Sequence, residues 1–213
     1  MQLKIFNNYY DVVILKKKTT KNTYIRVKDD LKIYITCNYY TKDSYIKKLI
    51  EENQEKIAKM LNAKIKKQEK AKKFSYLGKT YDIVYLNSKD IFFGDEKIFV
   101  ARNFNLDKWL LKEAERIFQE ELDKMYQIFP KKIPYPHLTI RRMTTRWGVC
   151  NIKLKRVTLN LELIKKDLKY LDYVIVHELA HFIHPNHSRD FWNLVAILVS
   201  NYKVLRKEMR ENE

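Results

Sequence analysis

The sequence predicts an α+β fold, in which a β-rich N-terminal part with a long helix precedes a small antiparallel sheet and one buried helix. Apolar segments of strand length recur before residue 104. Two longer segments repeat apolar residues at helical spacing. After residue 137, a second group of strand-like segments leads into a strongly apolar helical segment. We therefore expect two domains, residues 1–104 and residues 105–213.

The N-terminal part is predicted to contain strands around one long helix. Thr41 is the expected cap of that helix, because apolar residues recur at helical spacing from Ile46 to Ile65. Gly78 and Gly94 mark turns between strands. The strands are expected at Asp11–Lys17, Tyr24–Lys28, Leu31–Thr36, Phe74–Tyr76, Lys79–Leu86, Ile91–Phe93 and Lys97–Ala101.

The C-terminal part is predicted to start with a helix over Asp107–Phe129, which Pro130 stops. Three strands of a small sheet follow, at Leu138–Met143, Trp147–Asn151 and Arg156–Asn160. The next helix begins near Asp167, and another begins after Ser188, whose hydroxyl can cap it. We expect the sheet to lie across the Asp167 helix with one edge open, so that an extended peptide can add to that edge.

The Asp167 helix contains an HExxH motif, in which His177 and His181 flank Glu178. Helical residues four apart lie on one face and rise about 6 Å, so two imidazoles can reach one metal ion. Tetrahedral zinc in hydrolases takes three protein ligands and leaves one position for water, beside which Glu178 can act as a general base. The alternative is a pair of ordinary core histidines. Because Asp172–Val176 indicates a buried helix and buried histidines need partners, we predict a zinc site.

Two histidines compete to be the third ligand. His184 lies on the face of His177 but about 10 Å along the axis, too far to share one ion while the helix stays regular. Pro185 disfavours the helical conformation at His184 and should end the helix there. The turn that follows can bring His187 back to the metal. We therefore expect His187 as the third ligand, and His184 as a turn residue or a partner of a ligand.

The charge of the chain permits an anionic partner. The formal net charge is +17, residues 1–75 carry 19 basic and 8 acidic side chains (+11), and seven of the ten arginines follow residue 140. Such an excess can attract nucleic acid or nucleotides. The alternative is that the lysines, 33 of the 43 basic residues, solvate exposed faces.

The composition favours a cytoplasmic protein. The sequence contains no run of eighteen apolar residues, so we expect no membrane span. Its first residues lack the long apolar segment of a secretory signal. Cys37 and Cys150 are its two cysteines and lack CxxC spacing, which implies no disulfide framework.

Three motifs of the C-terminal part occur together in one family. They are the HExxH of residues 177–181, Asn186-His187-Ser188 and Arg146-Trp147-Gly148-Val149-Cys150. With them the chain resembles the YgjP-like metal-dependent hydrolases, predicted zinc metallopeptidases in which the last segment reads RWGSC. Weaker likeness extends over nearly the whole chain. The resemblance implies a zincin-like catalytic part, zinc on His177, His181 and His187, and a catalytic Glu178.

The motif and the resemblance lead us to expect a zinc-dependent hydrolase, foremost a metallopeptidase acting on a peptide or protein. It would use a zinc-bound water with Glu178 as general base. Arg146 either acts in the site, where it would stabilise the developing oxyanion or hold an anionic substrate group, or forms a structural salt bridge. Cys150 is expected to be a buried small residue, because a thiolate on zinc would close the position that catalysis requires.

Two other functions stay open from the sequence. One is zinc-dependent hydrolysis of nucleotides or other phosphoanhydrides, because zinc and arginine also neutralise phosphoryl oxygens. The other is a nucleic-acid-associated protease, which the basic N-terminal part would recruit to DNA or RNA.

Overall fold

The chain forms two compact units, Met1–Lys73 and Phe74–Glu213. The residues that the computed structural model describes are 2–5, 7–87 and 90–211. Each unit buries a hydrophobic core of its own. The division falls earlier than the domain boundary expected after residue 104. The reason is that strands following residue 73 contribute Phe74 and Val100 to the core of the second unit.

The first unit packs helices against a sheet. Its described strands are β1 (Gln2–Ile5), β2 (Asn8–Lys17), β3 (Tyr24–Val27) and β4 (Ile33–Asn38), in the order β1-β2-β4-β3. Strands β2 and β4 pair in parallel, whereas the other neighbours are antiparallel. Ile33, Ile35 and Cys37 alternate along β4 and are fully buried, as the two-residue period of a strand requires.

The helical segment of the first unit is interrupted at Asn53. It consists of α1 (Asp43–Glu52) and α2 (Gln54–Ala71). The prediction of one long helix is therefore wrong, because the Asn53 side chain donates a hydrogen bond to the carbonyl of Leu49 (2.8 Å) and such bonds compete with helix geometry. The predicted cap is also wrong: α1 begins after Lys42 rather than Thr41, and Lys42 makes no side-chain cap hydrogen bond.

The second unit begins with a sheet that shares a core with a long helix. The strands are β5 (Lys73–Tyr76), β6 (Lys79–Leu86), β7 (Phe92–Phe93) and β8 (Lys97–Ala101), in the order β5-β6-β8-β7. Helix α3 (Leu106–Gln127) follows, and the side chain of Asn105 caps it by accepting a hydrogen bond from the Lys108 N–H (2.9 Å). The apolar stripe of α3 buries Leu110, Ala114, Ile117, Phe118, Leu122 and Met125.

A small sheet adjoins the predicted metal site. Its strands are β9 (His137–Arg141), β10 (Gly148–Asn151) and β11 (Arg156–Asn160), in the order β10-β11-β9. Strand β10 is antiparallel to β11, but β9 is parallel to it, so the sheet is mixed rather than antiparallel as expected. Strand β10 runs opposite to both β9 and β11, so β9 and β11 run in the same direction. Because β10 occupies one edge of β11, β9 pairs with the other edge.

The remaining helices follow the small sheet. They are a 3-10 helix (Leu161–Lys165), α4 (Leu168–Ala180), α5 (Arg189–Leu198) and α6 (Tyr202–Glu211). Asp167 and Ser188 cap α4 and α5 through side-chain hydrogen bonds from the N–H groups of Lys169 (3.1 Å) and Phe191 (3.3 Å). The predicted α+β fold class is confirmed. Among the described residues, every helix is too short or too polar to cross a membrane.

Candidate metal centre

Helix α4 carries the HExxH motif inside the second unit. It is apolar on almost every side and buries Ile175 and Leu179 among other residues, as a helix within a core does. The rings of His177 and His181 lie 4.9 Å apart between centroids. The four-residue offset thus places both imidazoles on one face, as the motif predicts.

The turn after α4 brings His187 to the same point. Helix α4 ends at Ala180, earlier than the end expected at His184. The chain tightens there, because the N–H groups of Phe182 and Ile183 bond to the carbonyls three residues back, those of Leu179 and Ala180 (both 3.1 Å). The Nε2 atoms of His177 and His187 lie 3.0 Å apart.

The three imidazoles fit a zinc ion. Among the described residues, His177, His181 and His187 form a group whose ligand atoms all lie within 4.8 Å of one another. Tetrahedral zinc, with bonds of about 2.0–2.1 Å, holds its ligand nitrogens roughly 3.3 Å apart. Three nitrogen donors that converge in this way leave a fourth position for water or substrate.

Each of these imidazoles is held in the neutral form that a metal requires. Burial, together with the neighbouring His181 and His187, lowers the pKa of His177 to about 3. Burial also lowers the pKa of His181 and that of His187. A neutral imidazole can direct a lone pair at a metal ion, whereas an imidazolium cannot.

His184 contributes its backbone to the site. The Nδ1 atom of His181 lies 3.2 Å from the carbonyl oxygen of His184. When Nδ1 donates this hydrogen bond, Nε2 is left free for a metal. The His184 ring does not belong to the converging group found among the described residues.

Aromatic side chains fix the orientation of the other two imidazoles. His177 Nδ1 is buried without a hydrogen-bond partner in the described part of the chain. Its ring instead contacts Phe191 (4.9 Å) and Trp192 (5.7 Å), measured between centroids. The ring of His187 stacks on Trp192 at 5.6 Å with an interplanar angle of 22°. Aromatic packing therefore orients the rings of His177 and His187, whereas a hydrogen bond orients the ring of His181.

Glu178 is buried beside the imidazoles and faces strand β10. Its side chain accepts a hydrogen bond from the backbone N–H of Cys150, and the positive charge of Arg146 acts on it. Both effects favour the carboxylate, but burial outweighs them and raises the pKa of Glu178 to about 8. A cation held by the histidines would favour the ionised form again.

Gly148 leaves room for the Glu178 side chain. A Cβ atom at residue 148 would lie 2.8 Å from Cγ and 2.9 Å from Cδ of Glu178, which is closer than van der Waals contact allows. The sequence motif contains this glycine, but the need for it follows from the packing of β10 against the Glu178 side chain of α4.

Residues 21–212 match the family model described as YgjP-like, metallopeptidase domain. The chain belongs to this family. It is therefore a metal-dependent hydrolase of the metallopeptidase type, and the predicted resemblance is confirmed. Family membership implies a divalent metal, for which the imidazole group described above is the candidate site.

Two solved structures are similar to part of this YgjP-like metallopeptidase. Abylysin of Pyrococcus abyssi, a metallopeptidase zymogen, matches with a TM-score of 0.41 and 20% identity over 45% of this chain and 93% of its own. Jannalysin of Methanocaldococcus jannaschii, also a metallopeptidase zymogen, matches with a TM-score of 0.40 and 19% identity over 45% and 95%. No curated protein matches the sequence.

A cavity of about 520 Å³ adjoins the imidazoles of the YgjP-like metallopeptidase. Cys150 lines it, but the thiol is not one of the converging ligand atoms. Burial and the charge of Glu178 raise the pKa of the Cys150 thiol to about 12.

Arg146 also lines the cavity, and its side chain is exposed. Within the described residues it forms no salt bridge, unlike Arg142, which pairs with Asp107 (2.7 Å) and Glu162 (3.1 Å). Of the two roles that the sequence left open for Arg146, this geometry favours contact with the contents of the cavity.

Sequence reasoning missed two further arginines in the cavity wall. Arg206 and Arg210 of α6 line the cavity together with Met209. The signal available was their spacing of four residues, which places them on one face of a helix. That spacing alone does not indicate which surface the face meets.

Proposed function

We propose that this YgjP-like metallopeptidase is a zinc peptidase in which His177, His181 and His187 hold the metal and Glu178 is the general base. The observation that carries the proposal is the convergence of the three imidazole ligand atoms within 4.8 Å, with the carboxylate one residue along the same helix. Neutral imidazoles suit zinc, and three of them leave a position open for catalysis.

Zinc in this site would supply a Lewis acid that makes a water molecule a nucleophile near neutral pH. The protein's own groups complete the reaction. The Glu178 carboxylate takes a proton from the attacking water and then delivers it to the leaving amine. The guanidinium of Arg146 stabilises the negative charge that develops on the carbonyl oxygen.

Strand β10 supports a peptide as the substrate. The Asn160 N–H donates to the Trp147 carbonyl (2.9 Å), so in this antiparallel pair the backbone groups of Gly148 and Cys150 point away from β11. One of them, the Cys150 N–H, reaches Glu178. An extended peptide that pairs with this edge would therefore lie beside the general base.

A phosphoanhydride substrate is a second candidate. It is favoured by the arginines of the cavity wall, because a guanidinium binds phosphate oxygens as well as carboxylates. Nucleoside triphosphates therefore belong in any substrate screen.

The test begins with metal content and activity. We expect about one zinc per chain in the purified protein, its loss in His177→Ala, and its retention in the matched variant His184→Ala, whose ring lies outside the ligand group. Glu178→Gln should keep the zinc but lower the rate of peptide cleavage by at least about a hundredfold. The measurements are elemental analysis and mass spectrometry of a peptide library after incubation.

Other outcomes would contradict the proposal. Zinc lost equally from His184→Ala would show that the ligand set is different. Hydrolysis of nucleoside triphosphates, without any peptide cleavage and dependent on Glu178, would favour the second candidate.

A further inference from the structure

The wall of the metal-site cavity is positively charged. It contains the guanidinium groups of Arg146, Arg206 and Arg210, and Glu178 is the acidic side chain found there. A metal ion bound by the imidazoles would add to this positive charge. A cavity of this kind concentrates anionic groups and holds them strongly, because its walls exclude part of the solvent.

Helix α6 is anchored so that two of the arginines face the cavity. Leu205 and Met209 are buried, with exposures of 2% and 3%, and fix the rotation of the helix. Arg206 and Arg210 lie next to them in sequence and four residues apart, so they share a face. Like charges at this spacing destabilise a helix. Within the described residues no salt bridge relieves the repulsion.

Arg206 is held in a fixed position beside the metal ligands. Its guanidinium carbon lies 4.6 Å from the ring centroid of Trp192. Trp192 in turn stacks on Tyr202 (5.0 Å, 9°) and on His187 (5.6 Å, 22°). A guanidinium that stacks through its face keeps its N–H edge available for hydrogen bonds.

We propose that Arg206 and Arg210 form a carboxylate-binding subsite that selects peptides with an acidic group close to the scissile bond. The inference rests on the proposed peptidase function and names its substrate class. A guanidinium matches the two oxygens of a carboxylate with two parallel hydrogen bonds. The group bound is either an acidic side chain or the carboxyl end of the substrate, and both present the same chemistry.

A peptide carboxylate fits the site better than a phosphate chain does. At the edge of β10 that faces away from β11, the Gly148 N–H and C=O and the Cys150 C=O are placed to pair with a peptide. Among the described residues, the side chains that cluster closely enough to bind a metal ion are His177, His181 and His187. The clustered carboxylates that would bind the magnesium of a nucleotide are not found in the cavity wall, where Glu178 is the acidic residue.

The test measures binding apart from cleavage. Zinc-loaded Glu178→Gln protein is titrated with fluorescein-labelled hexapeptides that carry glutamate at each position in turn, or glutamine instead. Each peptide is made with a free and with an amidated carboxyl end. We expect at least about tenfold tighter binding of the glutamate peptide at one position, or of the free carboxyl end. The first result identifies a side chain as the ligand, and the second identifies the chain terminus.

Variants assign the preference to the arginines. Arg210→Gln, at an exposed position, should reduce the preference about tenfold, and Arg206→Lys, which keeps the charge but loses the planar fork, should reduce it less than Arg206→Gln. Lys207→Gln removes the same charge from the same helix but lies outside the cavity wall, and it should leave the preference unchanged. Zinc content and thermal unfolding confirm that each variant is folded.

The proposal is overturned if glutamate and glutamine peptides bind equally at every position and free and amidated carboxyl ends also bind equally. It is overturned as well if the preference survives in the Arg206→Gln/Arg210→Gln double variant. Arginine-dependent binding of nucleoside triphosphates in place of acidic peptides overturns it as well. Cleavage by the wild-type enzyme is measured in parallel. Cleavage without an acidic preference contradicts the subsite alone, whereas an arginine-dependent preference without any cleavage contradicts the peptidase function alone.

Discussion

The carboxylate of Glu178 occupies space that Gly148 leaves empty. A general base must lie within hydrogen-bond distance of the water it deprotonates, so a shift of about 1 Å is costly. Because residue 148 belongs to a strand that is paired with β11, the backbone cannot easily retreat. The glutamate side chain would therefore have to move.

We predict that Gly148→Ala retains zinc but lowers kcat/KM by about a hundredfold, since the added methyl group displaces the Glu178 carboxylate and leaves the imidazoles in place. Steady-state kinetics with a cleavable peptide, alongside elemental analysis, would measure both quantities. The matched control is Gly94→Ala, where the new Cβ would meet its nearest neighbours at 3.5 Å, an ordinary contact. Unchanged kinetics in Gly148→Ala would mean that the position of Glu178 is not critical.

The residues of the candidate metal site differ in how far the sequence could predict their positions. His177, Glu178 and His181 follow from helical spacing, which is a local property. His187 required the further argument that a proline ends the helix and a turn returns the chain. Arg206 could not be predicted, because its place in the cavity wall depends on how α6 packs within the second unit rather than on any nearby residue.

At the level of elements, the sequence predicted most helices and strands. It missed features that depend on a side chain competing with helix hydrogen bonds, or on which strands pair. The break between α1 and α2 arises from a single asparagine whose amide binds the helix backbone. The parallel pairing of β9 with β11 depends on which edge of β11 was free. Hydrophobic periodicity contains neither piece of information, because it reports which face is buried and not which partner covers it.

Helix α4 carries a half-buried acidic side chain, Asp172, near Lys124 of α3. Asp172 Oδ1 is buried without a hydrogen-bond partner in the described residues, and its other oxygen lies 3.9 Å from Lys124 Nζ. Burial, followed by interaction with Glu121, raises the pKa of Asp172 to about 6. A carboxyl group whose pKa is higher in the folded protein than in the unfolded chain binds its proton more tightly when folded. Its contribution to stability is present below about pH 4 and is lost as the pH rises through about 6.

We therefore predict that Asp172→Asn gains stability relative to the wild type as the pH rises from 4 to 8, by about 1–2 kcal/mol. The asparagine keeps the shape of the protonated side chain and cannot ionise. Denaturant unfolding at several pH values would measure the difference. Asp190→Asn, at an exposed position of α5, is measured alongside as the matched substitution. An Asp172→Asn difference that does not vary with pH would show that this carboxyl group is not perturbed.

At the level of the whole molecule, the two units bury separate cores, so the chain should respond to metal in one unit only. The histidines, Glu178 and the cavity all belong to Phe74–Glu213. A ligand that binds a folded unit but not the unfolded chain stabilises that unit, by about 2.7 kcal/mol at a free concentration one hundred times its Kd. The first unit, Met1–Lys73, contains none of the three converging ligands.

We predict two thermal transitions in calorimetry, of which one moves to lower temperature when a chelator removes zinc. The other should not move, because its core is formed by residues such as Ile35 that lie in the first unit. Ile35→Ala, at a fully buried position, should lower the temperature of the zinc-independent transition. Removing a buried side chain of that size costs about 2–5 kcal/mol. His177→Ala should abolish the zinc-dependent shift and leave the Ile35 transition in place. If zinc moves both transitions equally, or if the protein unfolds in a single step, the two cores are coupled and the metal stabilises the chain as a whole.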